Sequence, residues 1–537
     1  MDTSRYENER LALQARLDSA KTQPDRNRMG QFATPPVLAS EIVAYAKSLI
    51  PGSECMRFLD PAFGTGSFYS ALLRAFGTRP VAAAEGFEID PHYARPSTEL
   101  WRGTPLNLHT RDFTRAEPPS AEADKFNLVV CNPPYVRHHH IPTQEKARLK
   151  QLTERACGER IAGLAGLYCY FLGLAHAWLA ENGIAVWLIP SEFMDVNYGK
   201  PVKHYLLDRV TLLRIHRFQS EDVQFEDALV SSAVVCFTKA RAPVTHAAQF
   251  TFGGTLLKPR ISRDVPIGAL EPEDKWTHFP ATVERAANNG VKLGDFFSIK
   301  RGLATGANGF FILTREQIDK HGLSMKYFRP ILPSPRYVQG DEIRANTSGN
   351  PCLEPQLFLL DCRLPEREVK ARHPELWAYL QAGKQALAGR YLCSHRAPWY
   401  TQEDRPPAQF LCTYMGRSDA NGGRPFRFIM NHSRAVAANV YLMLYPKPPL
   451  AQALRQRPEL ARQVWRTLNE ICPKSVASEG RVYGGGLHKL EPKELANVSA
   501  EPLARLLSRE AVALSPQLEL SCEQGDALVS AEPGMAR

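Results

Sequence analysis

The chain has 537 residues, more than one hydrophobic core usually holds, so at least two domains are expected. Hydrophobic residues make up 44% and charged residues 23%, an ordinary globular mix, and no apolar run reaches the roughly 18–20 residues of a membrane span. A net charge of +10 permits a polyanionic partner, and eleven scattered cysteines with no Cys-x-x-Cys pair indicate neither a zinc site nor a disulfide framework, which points to a reducing cytoplasm.

The first 21 residues are charged and lack the apolar core of a signal peptide; residues 1–27 are expected to form an N-terminal helical extension. Apolar residues at helical spacing over 36–50, opened by prolines, predict a helix. A strand is expected at 56–60, a helix at 67–76, and strands at 81–89 and 126–131. Helical spacing follows over 164–180, closed by Asn182-Gly183, with a strand at 184–189. Two closely spaced runs, 210–218 and 230–238, suit an antiparallel edge hairpin. This alternation predicts an α/β domain over 28–245, an open and mostly parallel sheet with helices on both faces and sites at the carboxyl ends of strands. Residues 246–290 are weakly periodic and read as a connecting region. Residues 291–504 read as a mixed α+β second domain, and 505–537 as a tail. Residues 291–500 carry 30 Lys and Arg against 18 Asp and Glu, so the basic surplus is concentrated there.

The string Asp60-Pro61-Ala62-Phe63-Gly64-Thr65-Gly66 is a strand end, a small-residue loop and a helix start. Gly64 and Gly66 permit close approach of a ligand to the backbone. Position 69 is Tyr, so this is not the dinucleotide fingerprint. Glu88-Ile89 ends the next strand and places an acid where it can accept from both hydroxyls of a ribose. Asp112-Phe113 supplies a third acid, able to accept from an adenine amino group, and a ring to lie along it. Three acids after three successive strand-like runs indicate a nucleoside site.

Asn132-Pro133-Pro134-Tyr135 is the most specific string in the chain. Two prolines stiffen the backbone, and the Asn132 side-chain oxygen and Pro133 carbonyl are acceptors able to point into one small space. Two acceptors that take both hydrogens of a flat NH2 group free its nitrogen to present a lone pair. Tyr135 offers a face for the ring carrying that amine. Cys131 follows Val130, not proline, and does not fit a cytosine-C5 nucleophile. Arg137-His138-His139-His140 reads as a loop, and no metal site is expected.

These strings resemble the Asn/Asp-Pro-Pro-Tyr/Phe and Asp-Pro-x-x-Gly-x-Gly motifs of amino-methyltransferases. Gly30-Gln31-Phe32-Ala33-Thr34-Pro35 resembles the motif that precedes the cofactor loop in gamma-class N6-adenine DNA methyltransferases of type II restriction–modification systems. The order of motifs, with a large C-terminal domain last, is that class's order, and the resemblance covers residues 28–240. It implies a Rossmann-like class I methyltransferase domain that uses S-adenosylmethionine, followed by a target recognition domain. Thr34 and the Asp60–Gly66 loop, Ala62 included, would hold the methionine part of the cofactor. Glu88 and Ile89 would take its ribose side, and Asp112 and Phe113 its adenine. Asn132 and Pro133 would orient the target amine, with Tyr135 stacking on a flipped base and Phe225 packing opposite. Cytosine N4 is the alternative amine for the same bracket.

In the second domain, the phrases from Lys300-Arg301 to Phe311 and from Arg481 to Pro492 resemble segments of recognition domains in such enzymes. By composition alone, the glycines beside basic and amide residues in the first phrase suit a backbone-hugging loop. Lys300, Arg301, Arg417, Arg424, Arg427, Arg481 and Lys489 are the candidates for phosphate or base contacts. The expected partner is double-stranded DNA, with the chain a monomer and any cognate nuclease a separate protein. Rival readings are the same chemistry on a glutamine amide of a protein or on an RNA base, or a non-catalytic nucleic-acid-binding protein.

Overall fold

The computed structural model describes residues 2–51, 55–77, 81–219, 231–243, 245–280, 290–417, 424–483 and 486–512. The chain divides into two compact units, the first built mainly from Met1–Glu284 and the second from Arg285–Val482 and Leu487–Arg537.

Unit 1 starts with two helices, α1 (Thr3–Ser19) and α2 (Gln23–Met29), and a third, α3 (Pro36–Leu49). The left-handed Gly30, φ 66°, ends α2, and Pro35-Pro36 starts α3. Then β1 (Met56–Asp60), α4 (Ser67–Phe76), β2 (Val81–Phe87), α5 (Pro91–Leu100), β3 (Leu106–His109) and β4 (Phe126–Cys131) alternate. Next come α6 (Thr143–Cys157), α7 (Leu167–Ala175), β5 (Leu179–Pro190), α8 (Lys200–His204), β6 (Thr211–Arg217), β7 (Ser232–Thr238), β8 (Ala247–Gly254) and β9 (Pro259–Pro266). They build one nine-stranded sheet in the order β3-β2-β1-β4-β5-β7-β6-β8-β9. The strands β3 to β5 pair in parallel, and β7 runs antiparallel between β5 and β6.

Both faces of this sheet are covered. On β5, Ala185, Trp187 and Ile189 join one core with α6 and α7, while Ile184, Val186 and Leu188 join the other with α3 and α4. Period-2 alternation on a strand buried on both sides makes every residue apolar, as in Ile184–Ile189.

Three expectations change. The 210–218 and 230–238 runs do pair antiparallel, but not at an edge, because β8 joins β6 in parallel and β9 closes the sheet. Residues 247–266 are therefore sheet rather than connection. Strand β9 is exposed along most of its length, so it carries no apolar alternation by which to recognise it. The helix expected over 164–180 spans only Leu167–Ala175, because Leu179 to Gly183 already belong to β5, with Asn182 left-handed at φ 61°.

Unit 2 contains a five-stranded sheet in the order β10 (Phe297–Arg301), β18 (Tyr441–Pro446), β15 (Phe410–Thr413), β17 (Phe428–Asn431), β13 (Glu342–Ile343). A three-stranded sheet holds β11 (Ile312–Thr314), β14 (Leu357–Leu360) and β12 (Phe328–Ile331). Another holds β16 (Met415–Arg417), β20 (Leu487–Lys489) and β19 (Arg481–Tyr483). The first sheet also has two buried faces: Leu442 and Leu444 point into one cluster, Tyr441 and Met443 into another. Strands of two to six residues are too short to show a period, which explains the weak patterning of this half. Among the described residues no helix is long and apolar enough to cross a membrane, and the ten described cysteines are free.

Candidate functional site

Strand order reverses between β1 and β4, and the carboxyl ends of strands at such a switch point leave a crevice. A cleft of about 510 Å³ opens there. Its wall includes Ala62, Gly64, Glu88, Ile89, Asp112 and Phe113, expected at the cofactor, and Asn132, expected at the target amine and also among the cofactor contacts, so these seven come together.

The glycine loop is held by its own geometry. Gly66 has φ 89°, and a Cβ there would fall 2.6 Å from the Phe63 ring and 2.8 Å from Trp101 Nε1. Gly64 has φ 56° with open space before it, a cradle that a side chain would fill. Asp60 is 1% exposed and does not line the cleft; it accepts from the Ala62 amide at 3.1 Å and so shapes the loop from beneath. Burial pushes its pKa up to about 8, against the pull of that amide. Glu88 accepts from the Gly64 amide at 3.0 Å and the Asp90 amide at 2.8 Å, one on each oxygen. Removal from water pushes its pKa up to about 7, against the pull of those two amides. Each carboxylate oxygen keeps a lone pair for a donor in the cleft. Ile89, 53% exposed, presents apolar surface beside it. Asp112 caps the turn that follows it, accepting from Thr114 N and Oγ1 at 2.9 Å, and Phe113 is rooted among Phe87, Phe171 and Trp178.

At the end of β4, Asn132, Pro134 and Val136 line the cleft while Pro133 and Tyr135 are buried behind it, the alternation of an extended backbone. The Asn132 amide is oriented from one side. Its Nδ2 donates to the Phe32 carbonyl at 2.9 Å and to Thr34 Oγ1 at 3.1 Å. Its Oδ1 is buried with no hydrogen-bond partner in the protein. A buried amide oxygen left open is costly unless something else occupies it, and donors of a bound substrate are one such occupant.

Two expected roles are placed differently. Thr34 is buried against the Asn132 amide and does not line the cleft, because the 30–35 turn packs on the 132–135 segment. Gly30 O accepts from Tyr135 N at 3.2 Å, and a Cβ on Gly30 would collide with the Pro134–Tyr135 peptide. Tyr135 is 9% exposed, tilted against Phe32 at 5.7 Å, and donates to the Leu188 carbonyl at 3.1 Å. Its ring is thus built into the core rather than lining the cleft. Phe225 lies outside the described residues. His138–His140 form a single 3-10 turn, and His140 reaches the cleft wall.

Sequence reasoning missed the N-terminal wall. Gln14 and Asp18 of α1 and Arg28 and Met29 of α2 line the cleft. Lys21 pairs with Asp90, which also accepts from Gln31 at 2.8 Å. No periodic signal marks Gln14 and Asp18, which are polar groups on a largely polar helix.

In unit 2, Lys300, Arg301, Arg417 and Arg424 are exposed. Arg301 lies 4.0 Å over the Tyr414 ring, with Lys489 5.4 Å from the same ring. Three other candidates are engaged within the unit. Arg427 pairs with Asp341 at 2.7 Å and donates to the Val338 and Gly340 carbonyls. Arg481 pairs with the buried Glu494 at 2.9 Å, and Lys489 with Glu491 at 2.8 Å. The 302–307 loop likewise hugs the protein's own backbone, with Gly302 and Leu303 amides donating to Tyr441 and Ala437 carbonyls at 2.9 and 2.8 Å.

Comparison with known proteins adds the lineage. A family model described as Eco57I restriction-modification methylase matches residues 92–224, and one described as Type II methyltransferase M.Eco57I, C-terminal domain, matches residues 278–527. The chain is 29% identical over 493 residues to the Type II methyltransferase M.XamI of Xanthomonas campestris pv. amaranthicola, covering 89% of this chain and 86% of that protein. It is 25% identical over 494 residues to the Type II methyltransferase M.AccI of Acinetobacter calcoaceticus, covering 88% and 85%. A solved structure of the type IIL restriction–modification enzyme MmeI in complex with DNA aligns with a TM-score of 0.48 at 15% identity, over 78% of this chain and 59% of that one. The sheet order, with one antiparallel strand between β5 and β6, is that of the Rossmann-like class I methyltransferase fold. Two models of Eco57I-type methyltransferases thus match the chain in its catalytic and C-terminal parts, and the relatives it resembles over most of their length are type II restriction–modification methyltransferases.

Proposed function

We propose that this protein methylates the exocyclic N6 of an adenine flipped out of double-stranded DNA, with S-adenosylmethionine as donor and unit 2 as the target recognition domain. The observation that carries this reading is the Asn132 amide: its nitrogen is tied down by Phe32 and Thr34, and its oxygen is a buried acceptor with no partner in the protein. An acceptor fixed in this sense takes one hydrogen of an NH2 group, and the Pro133 carbonyl is suited to the second. The amine nitrogen then loses conjugation with its ring and offers its lone pair. The donor supplies a methyl group on a sulfonium, already a good leaving group, so neither a metal nor a covalent nucleophile is needed. The residues fit that donor. Glu88 suits the ribose hydroxyls, Ile89 and Phe113 the adenine faces, Asp112 its amino group, and the Asp60–Gly66 loop with its open Gly64 the methionine part. Positioning and exclusion of water then account for the rate.

Type II methyltransferase relatives matched over most of their length support DNA as substrate. They also fit the basic surplus and exposed cations of unit 2. The target amine lies inside the duplex, so the base must leave the stack to reach Asn132.

The test is transfer of label from S-adenosylmethionine to duplex DNA, followed by nucleoside analysis. N6-methyladenine is expected; N4-methylcytosine, or label in protein or RNA, overturns the assignment. Asn132→Ala is expected to lower kcat by at least about 100-fold while binding of S-adenosylhomocysteine persists. Single-molecule sequencing of DNA from cells expressing the protein then reads the recognition site.

A further inference from the structure

Helix α1 carries a feature that neither the glycine loop nor the amine bracket requires. Arg10 and Glu7 are 1% and 6% exposed on a helix otherwise rich in solvated polar residues. The Arg10 Nε and Nη2 donate to the two Glu7 oxygens, both at 2.8 Å. Its remaining nitrogen, Nη1, donates to Thr65 Oγ1 at 3.3 Å and Ser67 Oγ at 3.0 Å. Thr65 and Ser67 flank Gly66 in the turn from β1 into α4. The chain of bonds continues, because Thr65 Oγ1 donates to Gln14 Oε1 at 2.5 Å and Gln14 Nε2 to Asp18 at 2.9 Å. The Tyr93 hydroxyl then donates to Asp18 at 2.7 Å, and Tyr93 lies on α5, which begins at the turn after Glu88. The bonds from Thr65 to Gln14, Asp18 and Tyr93 make one path from the glycine turn to the Glu88 turn.

A buried ion pair adds little stability by itself, because desolvation offsets its attraction. What a fully bonded polar network supplies is a single geometry. We propose that α1 is a clamp that sets the spacing of the two turns forming the cofactor cleft, with Arg10 as its central positioning residue and Gln14 as its link. The inference rests on the reading of this cleft as the S-adenosylmethionine site. Neither Arg10 nor Glu7 lines the cleft, so any effect on the cofactor passes through Thr65, Ser67 and Gln14.

The experiment uses the full chain and S-adenosylhomocysteine as probe. Calorimetric Kd, together with KM for S-adenosylmethionine and kcat at saturating cofactor, is measured for Arg10→Met, Gln14→Leu and Thr65→Val. Arg10→Met is expected to raise Kd and KM by about tenfold or more with kcat within about threefold of the parent, and Thr65→Val, and Gln14→Leu in the cleft wall itself, to raise Kd by several-fold. The double variant Arg10→Met/Thr65→Val is expected to be no weaker than Arg10→Met alone, because both changes cut one path. If Arg10→Met does not fold, Thr65→Val decides, because the Thr65 side chain is buried and does not line the cleft. Kd changes under twofold in Arg10→Met or in Thr65→Val, or a fall in kcat at unchanged KM in Arg10→Met, overturn the clamp. If the parent protein binds no S-adenosylhomocysteine, it is the cofactor reading that fails.

Discussion

Asn132 and Glu88 show how much of the chemistry is set one side chain at a time. Thr34 touches Asn132 Nδ2 and is absent from the cleft wall, so its contribution belongs to the amide's orientation. Thr34→Val removes one hydrogen bond worth roughly 1 kcal/mol. Single-turnover assays are expected to show a fall in methyl transfer of about five- to tenfold with cofactor Kd unchanged. A rise in Kd instead returns Thr34 to the cofactor. Glu88 makes a pH prediction. Its folded pKa is raised by burial to about 7, above the unfolded value, so the folded protein without ligand holds a proton there that the unfolded chain has lost. The associated stability is present below the ordinary carboxylate range and is lost as pH rises through about 7. A ribose donating two hydroxyls favours the charged form. Binding of S-adenosylhomocysteine is therefore expected to tighten from pH 6 to pH 8 and to release a proton. Calorimetry in buffers of different ionisation enthalpy measures that release, and Glu88→Gln is expected to abolish it.

At the scale of elements, the motif strings were legible because proline and glycine impose local geometry with few alternatives. Strands β1 and β4 and helix α4 fall where period and turn residues put them, at Met56–Asp60, Phe126–Cys131 and Ser67–Phe76. The later elements were not legible, since β9 is exposed along most of its length and β8 pairs with a strand more than thirty residues earlier. Behind them, Trp276 is fully buried in the same core as Phe250, and its indole donates to the Glu271 carbonyl at 3.0 Å. Trp276→Ala is expected to cost about 3–5 kcal/mol, read from denaturant unfolding of the full chain. A loss below about 1 kcal/mol, the range of exposed sites, returns residues 246–280 to the role of a connection.

At the scale of the whole molecule, charge separates into cations that hold the fold and cations available to a partner. Arg427 and Arg481 are fastened to Asp341 and Glu494, whereas Lys300 and Arg417 are exposed. Replacing Lys300 or Arg417 by Gln is expected to weaken DNA binding and reduce the slope of log K against log salt by about 0.9 for each phosphate that the protein no longer neutralises. Arg427→Gln is expected to lower Tm with no change in that slope. Anisotropy titrations across a salt series test both, and an unchanged slope in the first pair removes them from the interface.

Most of the residues that meet in the cleft, their order along the chain and the α/β class could be read from the sequence alone. Each depends on a short string whose backbone has little freedom, or on a period that repeats within one element. Which partner orients each group could not. Asn132 meets Thr34 across 98 residues, Arg10 meets Ser67 across 57, and Arg427 meets Asp341 across 86. No local pattern records such pairings, because a polar side chain carries the same letters whether it faces water or a buried partner. Folding brings those partners together, and only then does Thr34 become the Asn132 anchor, Arg10 the buttress of the glycine turn and Arg427 part of the framework.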